Sequence, residues 1–163
     1  MNKPTIVITE ADFERLTALL ESEFAKVISP VEYLDDLRTE LTKARIIPPS
    51  KTPRNVVTMN STVTLLDLET GERETYVLVY PDQADIANNR LSILAPVGTA
   101  ILGQRVGDKL EWRVPSGWRR LKVQKVVSQP EREGVQELEP DLRLPAWLPY
   151  ASAPDEAAYQ HEA

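Results

Sequence analysis

The feature that most constrains this chain is a change in apolar period across a short proline-rich segment. Ile46-Ile47-Pro48-Pro49-Ser50-Lys51-Thr52-Pro53 holds three prolines in eight residues. Proline donates no N–H and its ring clashes with the preceding helical turn, so no helix crosses this connector. Before it, apolar residues recur every three or four positions; after it, β-branched and aromatic residues come in short runs bounded by turn residues. The two sides therefore fold by different rules, helical then strand-like, and the reading is an α+β protein.

The helical side divides into two runs. Phe13, Leu16, Leu20, Phe24 and Val27, widened by Leu19, form one stripe, and Val31, Leu34, Leu37, Leu41 and Ala44 form a second. Thr9 with Asp12 three residues on, and Ser29-Pro30-Val31-Glu32, both read as helix starts with a side-chain cap. Only Ile28, Ser29 and the end of the first run remain for the turn, which predicts a short antiparallel helical hairpin, a coiled coil in miniature, over residues 1–47.

Beyond the connector, residues 56–66 and 74–80 read as strands about the turn Glu69-Thr70-Gly71. A short strand at 91–94 leads to a brief helix, Pro96 to Gly103. Leu110, Trp112 and Val114 alternate with Lys109, Glu111 and Arg113, and Trp118 to Val127 returns as a last strand with Leu121 and Val123 on one face. Residues 54–130 are thus expected to form an antiparallel sheet around one short helix. Residues 131–163, rich in proline and acids, read as an extended or partly disordered tail, docked where Leu144, Trp147, Leu148 and Tyr150 meet the body.

Composition removes several chemistries. The 163 residues include no cysteine and one histidine, His161, so thiol nucleophiles, Cys or multi-His zinc sites and imidazole-based triads lack their residues. No cofactor and no metal site is expected. A formal charge of −6 argues against the broad positive field of a duplex-binding protein, and no direct specific DNA binding is expected. The N-terminal MNKPTIVITE is too short and polar for a signal peptide, and no apolar run spans a bilayer, so a cytoplasmic, membrane-free monomer is expected. Lys43, Arg45, Lys51 and Arg54 cluster near the connector, and Arg113, Arg119, Arg120, Lys122 and Lys125 stud the last two strands; such a patch suits an acidic protein surface or nucleic acid, while solvated faces and blunted sheet edges account for such residues in ordinary folds.

The segments Val57-Thr58-Met59-Asn60-Ser61-Thr62-Val63, Tyr76-Val77-Leu78-Val79-Tyr80-Pro81 and Leu91 through Asp108 resemble the bacterial Gre-type factors, and within them the short-hairpin Rnk branch. The resemblance covers roughly residues 3–130 and implies an N-terminal hairpin with an FKBP-like sheet domain. It further implies a partner, RNA polymerase, met at the secondary-channel rim, and a link to the regulation of nucleoside diphosphate kinase. In the family a Ser-Pro pair after the third strand meets that rim. The matching positions here are Ala95 and Pro96, which makes Leu94, Ala95, Pro96 and Val97 the candidate docking edge.

Transcript-cleavage members carry tip carboxylates because a second magnesium needs oxygen ligands while it activates water. The tip-proximal acids here are Glu21, Glu23, Glu32, Asp35 and Asp36. Glu32, Asp35 and Asp36 lie early in the second helix, where the helix dipole already favours them; Glu21 and Glu23 lie late in the first, where it does not. A first helix from Glu10 to Ile28 would span about 28 Å, shorter than the arms of cleavage factors. The expected function is a polymerase-binding regulator that competes with Gre factors without cutting RNA and is not an enzyme. A cleavage factor acting through the tip acids and a prolyl isomerase built on Tyr76, Tyr80, Trp112 and Trp118 are the alternatives.

Overall fold

The computed structural model describes residues 5–114, 116–133 and 142. It opens with β1 (Val7–Thr9), buried throughout, which runs directly into α1 (Glu10–Glu21). Thr9 caps that helix as its spacing predicts: its Oγ1 accepts from the Asp12 N–H at 3.1 Å, satisfying one donor that a helix start leaves over.

The first helical run is not one helix. α1 stops at Glu21 and α2 (Glu23–Ile28) starts after Ser22, whose hydroxyl donates to the Leu19 carbonyl at 2.6 Å and accepts from the Ala25 N–H at 3.1 Å. Serine competes for backbone hydrogen bonds and here closes one helix while opening the next. The apolar period hides the break, because Leu20 and Phe24 stay four apart and both are buried.

Ser29 and Pro30 form the corner before α3 (Val31–Lys43). Ser29 does not cap this helix. Pro30 takes the cap position, one residue earlier in the helix than expected, and its carbonyl accepts from Tyr33 and Leu34 at 3.1 and 3.3 Å. Val31, counted with the apolar stripe, is 62% exposed. It opens α3 just past the corner, where no earlier turn of its own helix covers it. β2 (Arg45–Ile47) then pairs parallel with β1, Val7 opposite Arg45, so the three helices form the crossover that a parallel pair requires. Sequence period does not reveal these two three-residue strands.

The remaining elements are β3 (Thr62–Asp67), β4 (Arg73–Val79), β5 (Arg90–Ser92), α4 (Pro96–Ile101), β6 (Lys109–Val114), β7 (Gly117–Ser128) and α5 (Pro130–Glu133). The five-stranded sheet has the order β5-β4-β3-β7-β6, antiparallel except for the β4–β5 pair. The first strand starts at Thr62 rather than Val56. Before it, Val57 exchanges backbone bonds with Gly103 and Gln104, and Asn60 turns the chain at φ 64°. α5 is a single turn where an extended tail was expected, and Pro130 suits its first position. Leu142 packs on the core. Leu144, Trp147, Leu148 and Tyr150 lie outside the described residues.

One apolar cluster runs from Ile6, Leu16 and Leu37 through Leu78, Ile93 and Ile101 to Val123, joining helices to sheet. Three hydrogen bonds reinforce it: Val7 N–H to the Gly103 carbonyl at 3.2 Å, Gly103 N–H to the Val57 carbonyl at 2.8 Å, and Met59 N–H to the Asp12 side chain at Oδ2, 3.1 Å. α4 rests so close to β5 that a Cβ on Gly98 would come 2.2 Å from the Ser92 carbonyl oxygen. Among the described residues no helix is long and apolar enough to cross a membrane.

Candidate functional site

The Leu94–Val97 segment runs from the turn after β5 into the first residues of α4. Ser92 shapes its start, its Oγ accepting from the Leu94 N–H at 3.0 Å, and Thr99 Oγ1 donates back to the Ile93 carbonyl at 2.8 Å. Leu94, Ala95, Pro96 and Val97 are all buried. Their side chains belong to the core, and what they determine is the shape of the loop. Alternation of apolar residues cannot signal this, because a loop that turns straight into a buried helix has no solvent face to display.

Val97 also floors a shallow concavity, with Leu65 and Leu121, beneath a rim of Asp67, Glu72, Glu74, Tyr76 and Arg119. Arg119 meets Asp67 at 3.3 Å, both side chains being largely buried. Burial pushes the Asp67 carboxyl upward, but N–H groups of Glu69 and Thr70 at 2.8 and 3.1 Å and the Arg119 guanidinium outweigh it, leaving Asp67 below its ordinary value. The same two N–H bonds close the β3–β4 turn, where Gly71 adopts φ 77°. Tyr76 donates its hydroxyl to Glu74. Counted with the basic residues of the last strands, Arg119 proves to differ from Arg120 beside it. The period-two alternation of β7 turns Arg119 to Asp67, a distinction the sequence already contains.

The five acids near the corner, Glu21, Glu23, Glu32, Asp35 and Asp36, are all exposed. Glu23 pairs with Lys26 at 3.7 Å and Asp35 with Arg38 at 2.9 Å, each within its own helix. Among the described residues no three His, Cys, Asp or Glu side chains converge as a metal site. Of the aromatics considered for an isomerase pocket, Tyr80 is buried in the core and Trp118 is turned to solvent, so they do not share a cavity wall; the Trp112 side chain lies outside the described residues. Asp12 is the residue whose reach sequence reading missed. Read as a capping acid, it is buried and crosses to Met59, a contact 47 positions away that leaves no local signal.

Helices leading into a mixed sheet of this topology define the class, and comparison with known proteins agrees. Residues 51–128 match the family described as "Transcription elongation factor, GreA/GreB, C-term", and residues 4–47 match the Rnk N-terminus. A protein of Escherichia coli strain K12 named "Regulator of nucleoside diphosphate kinase" is 41% identical over 135 residues, 82% of this chain and 97% of its own length. "Transcription elongation factor GreA" of Thermodesulfovibrio yellowstonii is 36% identical over 83 residues, 51% of this chain and 52% of that protein. The solved "Prokaryotic transcription elongation factor GreA/GreB from Nitrosomonas europaea" superposes with a TM-score of 0.63 at 41% identity, over 77% of this chain and all of that one. The chain belongs to the Rnk family, a short-hairpin branch of the GreA/GreB-type factors.

Proposed function

We propose that this protein binds RNA polymerase at the rim of the secondary channel, obstructs the entrance with its helices and competes there with Gre factors without stimulating RNA cleavage. The observation that carries this reading is the shortness of the arm. α1 has 12 residues, stops at Ser22 and is followed by a six-residue α2, while the returning α3 has 13. At 1.5 Å per residue the return arm is about 20 Å long. Cleavage by tip carboxylates requires oxygen ligands at the catalytic metal deep in the enzyme. On this reading Glu21, Glu23, Glu32, Asp35 and Asp36 stay near the entrance and act by charge and bulk.

The sheet domain supplies the docking edge. The Leu94–Val97 loop sets the contour from beneath, and the adjoining concavity with its Asp67–Arg119 pair is the surface a polymerase rim would meet. The kinase link suggested by the name of the Escherichia coli relative then follows through transcription rather than through direct contact with the kinase. The protein acts as a monomer in the cytoplasm and needs no cofactor.

The test adds purified protein to stalled elongation complexes with and without a Gre factor. Expected are association with core enzyme, no transcript cleavage by the protein alone, and suppression of Gre-stimulated cleavage as its concentration rises. Cleavage stimulated by the wild type and lost in Glu23→Ala would transfer the function to the cleavage reading. Failure to associate with core enzyme would remove both.

A further inference from the structure

The outer face of the five-stranded sheet carries a charge that neither the core nor the docking edge uses. Strand register defines that face. Lys109 lies opposite Lys122 and Glu111 opposite Arg120; Leu66 pairs with both Lys122 and Arg73; Thr64 pairs with both Lys125 and Thr75; Val77 pairs with Arg90. Directly paired residues share a face. Arg73, Arg90, Lys109, Arg120, Lys122 and Lys125 therefore lie together on the side away from the core, with Glu111 the one acid among the described strand residues there.

Arg120 meets Glu111 at 3.9 Å and Arg73 donates to Gln124 at 3.0 Å, but stability does not explain the lysines. Like charges directly opposite each other, as in Lys109 and Lys122, destabilise a strand pair. Cations that blunt a sheet belong on its edges, yet Lys122 sits inside the sheet, paired with Leu66 of β3 on one side and with Lys109 of β6 on the other. The chain's charge of −6 does not contradict a positive face either. Residues 131–163 hold eight acids against Arg132 and Arg143, so the whole excess lies there and residues 1–130 are balanced.

Trp118 begins β7 on the same face, two positions from Arg120 and four from Lys122, and is 64% exposed. A large aromatic presented to solvent beside a cationic track is the combination that binds single strands, bases stacking on the ring while cations follow the phosphates. Between the cations, the Thr64 and Thr75 hydroxyls lie 2.9 Å apart on the surface, groups that both donate and accept as a ribose 2′-OH does. We propose that the outer sheet face binds single-stranded RNA, with Trp118 as a stacking platform and the Lys109–Lys122–Lys125 group as the phosphate track. This does not depend on polymerase binding, and its test contains no polymerase.

The experiment titrates the full-length protein into a labelled oligouridine of about 12 nucleotides, following anisotropy and tryptophan fluorescence at several salt concentrations. Expected are saturable binding that weakens with salt, quenching of a signal that Trp118→Phe removes, and roughly tenfold weaker binding for Trp118→Ala. Lys109→Gln combined with Lys122→Gln should also weaken binding about tenfold, with a flattened salt slope, while the melting temperature holds or rises because the like-charge pair is gone. That opposition separates a binding role from a structural one. Absence of saturable binding, unchanged affinity in the Trp118→Ala protein, or equal affinity for DNA of the same sequence or for duplex overturns the proposal. So does an acidic polypeptide that binds this face more tightly than the RNA, which would assign the surface to a protein partner.

Discussion

The helical arm and the sheet body are built from the same cluster of apolar residues, yet their free ends are held in opposite ways. In the sheet body the central strand is held by distant segments: β3 lies between β4 and β7, with Leu66 paired to Lys122, and α4 is buried along its length. At the arm's far end the polar contacts are local: Glu23 with Lys26, Asp35 with Arg38, Ser22 with Leu19 and Ala25. A tip held by local contacts can change its surface chemistry with little consequence for the fold, whereas the body cannot. That is why exposed carboxylates can gather at the tip at little cost to the fold, and why the Leu94–Val97 segment is committed to the core.

Five substitutions test this contrast. The largest effect is expected for Gly98→Ala, because the added methyl meets a backbone oxygen that cannot move without separating α4 from β5; we expect about 3 kcal/mol of destabilisation, read as a lower urea midpoint, and a neutral result would mean that the close approach is not maintained. Next is Asp12→Ala, which strips the Met59 N–H of its partner inside the core and should cost about 2 kcal/mol. Because this contact ties arm to body, hydrogen exchange should rise at Met59 and in α1 together; a change confined to α1 would show that the two regions are not coupled through it.

A smaller effect is expected at Asp67. Its folded pKa is depressed, so it contributes stability above its unfolded value, and that contribution falls away as pH drops through the carboxylate range toward the folded value. Asp67→Asn should therefore be less stable than wild type at pH 7, by about 1 kcal/mol, and the difference should narrow as both proteins are unfolded at successively lower pH. A gap that widens on acidification would contradict the assignment. The smallest effect is expected for Glu23→Gln and Asp35→Asn, exposed partners of local ion pairs. Neither should shift the urea midpoint measurably, so any loss of competition with a Gre factor in these variants reports on function and not on folding.

Much of the fold could be read from particular residues. Thr9 marked a helix start, Gly71 and Gly103 marked turns, and Leu121 and Val123 marked the buried face of β7. These succeeded because caps, turns and alternation act within a few positions of chain. The break at Ser22 and the exposure of Val31 were not legible, since an apolar period counts side chains and is blind to which backbone donors a serine takes or where the facing helix ends. The candidate site was half visible for the same reason: the tip acids are where the corner places them, but the burial of Leu94 through Val97 and the turn of Arg119 toward Asp67 depend on what packs against them.

Sequence alone determined the switch from helical to strand period, the turn chemistry, the residues available for catalysis and the family to which the chain belongs. Tertiary structure decided which acids and bases share a surface, which loop residues became core, and how β1, Asp12 and Gly103 tie the arm to the body. The physical reason is range. Backbone propensity and capping act over one or two turns, while burial and register are set by partners tens of residues away, and only the folded chain brings those partners together.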